Sequence, residues 1–220
     1  MRKPKAKRVT LADVAAKAPE NAAGKWAALA DVQLVRGQNR AALAAARKAL
    51  ASSQSVNVRF LAARTLVQAG DEAPARATAA EFDSKLTAEA QAYGRIIAGI
   101  SAVAGGDTGQ AIKALTEANR LLDTWIGRFE LGRAYLSAGE FVQADAEFEL
   151  CIKRRGEVLE LFLDNAPTYR FLPAAYYYQG RAREGLKSEG YVQFYRSYLD
   201  IRSQAGEDPL LPDIRRRLGQ

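Results

Sequence analysis

The chain of 220 residues is nearly half hydrophobic, has no histidine and has one cysteine, Cys151. This excludes Ser-His-Asp and Cys-His catalysis, an internal disulfide and most zinc sites, because each needs an imidazole or several thiols. The net charge of +7 is unevenly placed: Arg2, Lys3, Lys5, Lys7 and Arg8 carry +5 of it, which leaves +2 for the rest of the chain.

Residues 1–20 read as a basic, flexible segment. Its opening, MRKPKAKR, suits an anionic surface such as nucleic acid or lipid, or solvent alone. The following VTLADVAAKA lacks the continuous apolar core of a complete secretory signal, and no run of about 18 apolar residues occurs. The expectation is a cytoplasmic chain, although a single thiol fits a periplasmic one as well.

From residue 21 onward, alanine-rich helical stretches recur, punctuated by glycine turns. The first unit, near 23–55, carries Trp26, Leu29, Gly37, Ala42, Ala46 and Ala49. The second, near 56–91, carries Ala63, Gly70, Ala75 and Phe82, and the third, near 92–124, carries Gly99, Gly106, Ala111, Leu115 and Ala118. The fourth, near 125–158, is the clearest: Trp125, Leu131, Gly132, Tyr135, Gly139, Ala144, Phe148 and Cys151. In each unit a glycine ends one amphipathic half and begins another, which predicts a helix hairpin. Gly132 and Ala144 are small so that the two helices approach closely, and Tyr135 and Phe148 fill the space beside them.

A longer interval follows. Residues 156–172 read as a loop insertion, broken at Asn165-Ala166-Pro167 because the residue before proline avoids helical geometry. Phe162, Tyr169 and Phe171 are expected to tuck this loop against the array. Pro173 suits the first turn of a fifth unit, near 173–203, with Gly180, Leu186, Val192 and Tyr195 and a turn one residue shorter. Residues 209–219 read as a capping helix, in which Pro212 and Asp213 suit the start and Arg215, Arg216 and Arg217 the end.

The marks Trp125, Leu131-Gly132, Tyr135, Ala144, Phe148 and Cys151 resemble the tetratricopeptide repeat (TPR), a unit of about 34 residues. The resemblance implies an all-α fold: a right-handed superhelical solenoid of about five hairpins with a C-terminal cap, forming one domain over 21–220. Residues 90–220 are also similar to the TPR region of bacterial Ser/Thr kinases of eukaryotic type and related signalling proteins. The residues that carry this likeness are Lys153 to Glu157, Phe162 to Asp164, Pro167-Thr168, Tyr176 to Tyr178, Gly180-Arg181 and Asp208 to Leu210. No glycine-rich phosphate loop, His-Arg-Asp loop or Asp-Phe-Gly is present, so only the repeat module carries over.

In TPR proteins the first helix of each hairpin lines a concave groove that holds peptides. The register places Ala27, Phe60, Ile96, Phe129 and Tyr177 at the fifth position of that helix, and Asp31, Arg64, Ile100, Arg133 and Arg181 at the ninth. Three units thus pair an aromatic with an arginine four residues later, on one helical face. One reading is a groove, formed by Phe60, Arg64, Ile96, Phe129, Arg133, Tyr177 and Arg181, that grips an acidic peptide. The competing reading is that these arginines stack over neighbouring rings or pair with nearby glutamates.

No catalytic constellation stands out. Ser52, Ser53 and Ser101 lack a base, and Gly105-Gly106-Asp107 lacks the Walker lysine pattern and sits at an inter-helix turn. Cys151 occupies a position where the repeat expects a small buried residue. The expected function is a non-enzymatic interaction scaffold for a protein or peptide, without cofactor or metal. The alternatives are a regulatory module acting with a separate kinase or transcription factor, and a nucleic-acid adaptor working through the basic tail. Nucleic acid is the weaker of these, because no aromatic-basic platform accompanies the charge.

Overall fold

A computed structural model describes residues 17–162, 171–204 and 208–220, with 159–162 through the backbone alone. The basic stretch 1–8, Asp164, Asn165-Ala166-Pro167, Thr168 and Tyr169 lie outside the described residues, as does the side chain of Phe162.

The described chain forms helices and no strands. Five hairpins follow one another: α1 (Pro19–Val35) with α2 (Asn39–Ser52), α3 (Val56–Gln68) with α4 (Glu72–Asp83), and α5 (Ala88–Ala104) with α6 (Thr108–Leu121). Then come α7 (Trp125–Ala138) with α8 (Phe141–Lys153), and α9 (Phe171–Gly185) with α10 (Tyr191–Arg202). A final helix, α11 (Leu211–Arg217), packs on α10. Three helices start earlier than the sequence pattern predicts. Pro19 supplies the first turn of α1, the Thr87 hydroxyl caps α5 by accepting from the Ala90 amide, and α9 begins two residues before Pro173.

All five hairpin turns use one backbone device. Gly37, Gly70, Gly106 and Gly139 have φ between 71° and 92°, and Lys187 takes the same left-handed conformation at 54°. At each turn the next residue's amide donates to the carbonyl five residues back: Gln38 to Gln33, Asp71 to Leu66, Asp107 to Ala102, Glu140 to Tyr135 and Ser188 to Arg183. These bonds satisfy carbonyls that a helix end leaves bare, in the Schellman pattern.

Within the hairpins, side-chain volumes are complementary. A methyl group on Gly99 would lie 2.4 Å from Leu115, one on Gly132 would lie 2.9 Å from Phe148, and one on Gly180 would lie 2.6 Å from Tyr195. The equivalent pairs in the first two hairpins are Ala30 with Ala46 and Ala63 with Ala79, all buried. At positions 99, 132 and 180 glycine stands where the facing side chain is large, which lets the two helices approach closely.

Each second helix packs on its own partner and on the first helix of the next hairpin, whereas the first helices pack on one another: α1 on α3, α3 on α5, α5 on α7 and α7 on α9. The first helices thus form a continuous inner layer, and the second helices splay outside it. The interval between the fourth and fifth hairpins is not a bare loop. Its start, Arg155–Phe162, is a 3-10 helix that packs on α7 and α9 and buries Val158. Arg154 fixes this segment by pairing with Glu157 at 2.6 Å and with Asp123 at 2.8 Å.

Candidate functional site

The inner layer carries a chain of charged groups that crosses several hairpins. Arg64 of α3 is buried, and its Nε and Nη2 donate to Oε1 of Glu130 on α7 at 3.0 and 2.9 Å. Its Nη1 faces Asp31 of α1 at 4.0 Å, and its guanidinium lies 4.6 Å from the Phe171 ring centre at the start of α9. The other Glu130 oxygen accepts from Arg133 Nη1 at 2.7 Å, and Arg133 lies 5.4 Å from the Tyr178 ring centre. Burial alone would push the Glu130 carboxyl up, but the charges of Arg133 and Arg64 outweigh it and hold the group below the ordinary carboxylate range. Burial likewise opposes the charge on Arg133, and Glu130 overrides it, so that the guanidinium is held more firmly charged than usual.

Beside these groups opens a cleft of about 360 Å³. Leu34 of α1, Val67 of α3 and Ile100, Val103 and Ala104 of α5 form its apolar wall. Gln68, Glu130 and Arg133 form its polar edge, and the Gln68 amide nitrogen is buried there without a hydrogen-bond partner among the described residues.

The positions expected in the groove separate into two groups. Phe60, Ile96 and Phe129 are covered: Phe60 packs on Tyr93 with ring centres 4.6 Å apart, and Phe129 stacks on Trp125 at 5.3 Å. The fifth position of the first helix turns into the seams between helices, so these rings build the floor and do not present a surface. Ala27 and Ile100 are buried too. Arg133 and Arg181 keep 25% and 35% of their side chains exposed, and they are the expected residues that a partner can reach.

The expected pairing of each arginine with the ring four residues earlier holds for Arg181, which lies 5.9 Å from the Tyr177 ring centre and donates to its hydroxyl at 3.1 Å. Arg64 and Arg133 instead face rings of the fifth hairpin, Phe171 and Tyr178. Tyr177 itself is covered by the cap: it donates to Asp213 Oδ2 at 2.8 Å. Tyr178, which the sequence pattern leaves without a side, stacks on Phe148 at 5.7 Å and meets Phe129 edge-on. Three further groups escaped the sequence reading: Glu130, Gln68 and Phe171 as a partner of Arg64. Glu130 pairs locally with Arg133, three residues on, as the competing reading of nearby glutamates expects, but its other partner, Arg64, lies 66 residues away and no local spacing shows it.

The C-terminal arginines are partly engaged within the cap: Arg216 and Arg217 both pair with Asp213, and Arg217 also pairs with Glu184. Among the described residues, no helix is long and apolar enough to cross a membrane.

Five stacked hairpins with a shared turn device and a continuous inner layer define a helical-repeat array of TPR type. Among solved structures, the chain is similar to the crystal structure of MamA protein, with 21% identity, 83% of this chain and 92% of that chain covered, and a TM-score of 0.47. No protein-family model and no curated protein matches it.

Proposed function

We propose that the chain is a non-enzymatic interaction scaffold that holds a peptide segment of a partner protein on its inner helix layer. The observation that carries this reading is the cleft bounded by α1, α3, α5 and α7, with an aliphatic wall and Arg133 at its edge. Such a site takes an aliphatic side chain and sets an acidic neighbour against the guanidinium, while the buried Gln68 amide is placed to donate to a peptide carbonyl. The narrower reading, a module of a bacterial signalling system whose catalytic domain is a separate chain, draws on the motif likeness of residues 90–220.

The test is affinity capture with mass spectrometry on the intact chain, compared with Val103→Asp in the wall and Arg133→Glu at the edge. Arg76→Glu on the exposed outer helix α4 serves as the control. A partner retained by the control and lost by both cleft variants supports the reading. A partner retained by all three variants, each folded by circular dichroism, would sink it.

A further inference from the structure

The positive charge of the chain is concentrated at one end of the array. Residues 1–52 hold eleven basic and three acidic residues, so they carry +8, and residues 53–220 carry −1. Among the described helices α2 shows this most plainly: it holds Arg40, Arg47 and Lys48 and no carboxylate. Every other second helix holds at least one, such as Glu81 in α4, Glu117 in α6, Glu147 in α8 and Asp200 in α10. The three cations share one exposed face of α2 with Ala41, Ala44 and Ala51, at helical spacing. Lys48 lies 4.4 Å from the ring centre of the partly exposed Trp26, and Arg47 pairs with Asp71 while 61% of its side chain stays exposed.

Beside this face, a shallow pocket of about 370 Å³ opens where α2, α3 and α4 meet. Leu50, Ala51, Pro74 and Ala77 give it apolar walls, and Arg47 and Arg59 also line it. A partner that fits both features brings anions spread over a surface and hydrocarbon close behind them. Nucleic acid meets the first requirement and not the second, since its phosphate backbone carries no aliphatic chain. A bilayer with anionic phospholipid meets both, and the small methyl groups between the cations let α2 lie close against it.

We propose that the outer face of α2 and this pocket form a docking surface for an anionic phospholipid bilayer, with Arg40, Arg47 and Lys48 against the headgroup phosphates and the hydrocarbon of one lipid in the pocket. The surface belongs to the outer layer and the cleft to the inner one, so a docked chain keeps its cleft open. This goes beyond the scaffold reading and does not depend on it.

The test is co-sedimentation of the intact chain with vesicles of phosphatidylglycerol and phosphatidylcholine in equal parts, against vesicles of phosphatidylcholine alone. The charge variant is Arg40→Glu with Lys48→Glu. Lys113→Glu with Arg120→Glu on the exposed face of α6 makes the same change in net charge and is the control. Ala77→Gln fills the pocket with a neutral polar side chain, and each variant is checked by circular dichroism. The expected result is binding to the anionic vesicles alone, weakened at least about ten-fold by the α2 variant and much less by the control. Binding should also weaken in Ala77→Gln and fall as salt is raised. Val103→Asp in the cleft should bind vesicles as the unaltered chain does, so failure here leaves the scaffold reading standing. Equal loss in the α2 variant and the control, or no loss in either, overturns the assigned surface. Full binding by Ala77→Gln overturns the lipid in the pocket. Binding to fluorescein-labelled duplex DNA without binding to vesicles makes nucleic acid the occupant and overturns the proposal, as does sedimentation with neither kind of vesicle.

Discussion

Trp125 and Cys151 hold each other reciprocally: the indole N–H donates to the Cys151 carbonyl at 2.8 Å, and the Cys151 thiol donates to the Trp125 carbonyl at 3.8 Å. The first residue of α7 is thereby tied to the last turn of α8, with both residues buried. Burial pushes the thiol up, and nearby Glu147 adds to the effect, so almost no thiolate exists at neutral pH. Cys151 should therefore react with an aromatic disulfide reagent only as the fourth hairpin opens, at a rate that rises with urea. Fast labelling of the native chain would contradict this. Trp125→Phe removes the indole donor and should cost on the order of 1–2 kcal/mol in urea denaturation.

Gly132 is required by Phe148. A methyl group at position 132 would press on the ring from 2.9 Å, and overpacking of this kind costs about 1–3 kcal/mol. Gly132→Ala should lower stability by that amount, and the double change Gly132→Ala with Phe148→Leu should recover part of it. The readout is the denaturation midpoint of each variant. Additive losses would show that the two sites are independent.

Lys187 is the only described non-glycine residue with positive φ, and it occupies the turn position that glycine holds in the other four hairpins. The left-handed conformation strains a residue with a Cβ, and part of the relief from glycine is lost to unfolded-chain entropy. Lys187→Gly should thus stabilise the chain by about 0.5–1 kcal/mol, measured by thermal unfolding. A lower melting temperature would show that the turn does not strain lysine.

Glu130 is buried between Arg64 and Arg133, with 3% of its side chain exposed. Removing one member of a buried ion pair leaves a charge without its counter-ion and costs about 3–5 kcal/mol. Glu130→Ala should lose roughly this much stability, and Arg64→Met with Glu130→Leu should lose less, since the buried Arg64 charge leaves with its carboxylate and the remaining Arg133 keeps contact with solvent. The comparison is by chemical denaturation, with circular dichroism to confirm that both variants retain their helices.

Asp213 links the cap to the fifth hairpin by accepting from the Tyr177 hydroxyl at 2.8 Å and Arg217 Nε at 2.7 Å. Burial would push its carboxyl up, but the bonds from Arg217 and Tyr177 outweigh that and hold it down at about 2. A free aspartate titrates near 3.9, so this contribution is complete above roughly pH 4 and is lost as the pH falls towards 2. NMR signals of 211–217 should shift and broaden across that window, and Asp213→Asn should weaken the cap at neutral pH and flatten the response. An unchanged profile in Asp213→Asn would place the acid sensitivity elsewhere.

Much of the fold was legible because its determinants are local. Gly37, Gly70, Gly106 and Gly139 mark turns that any helix end of this type needs, and the small residues at 99, 132 and 180 recur at the spacing of the facing Leu115, Phe148 and Tyr195. The fifth turn was less legible, because Gly185 and Gly190 flank it and neither takes the left-handed conformation. Gly185 is needed for close approach instead, since a methyl group there would lie 2.5 Å from the Phe141 ring.

The candidate site was only half legible. Helical spacing put Arg64, Arg133 and Arg181 on the inner side of their helices, because side-chain direction follows from the helix alone. What faces them depends on how the hairpins stack. Arg64 meets Glu130 and Phe171 of hairpins two and three places further on, and Arg133 meets Tyr178 of the next hairpin. The sequence by itself determined the hairpins, their register and the identity of the inner arginines, all consequences of short-range backbone and packing chemistry. Only the tertiary structure decided that Arg64 holds Glu130 and Phe171, that Arg133 faces Tyr178, and where the cleft opens, because stacking geometry sets the distances between residues that no local spacing relates.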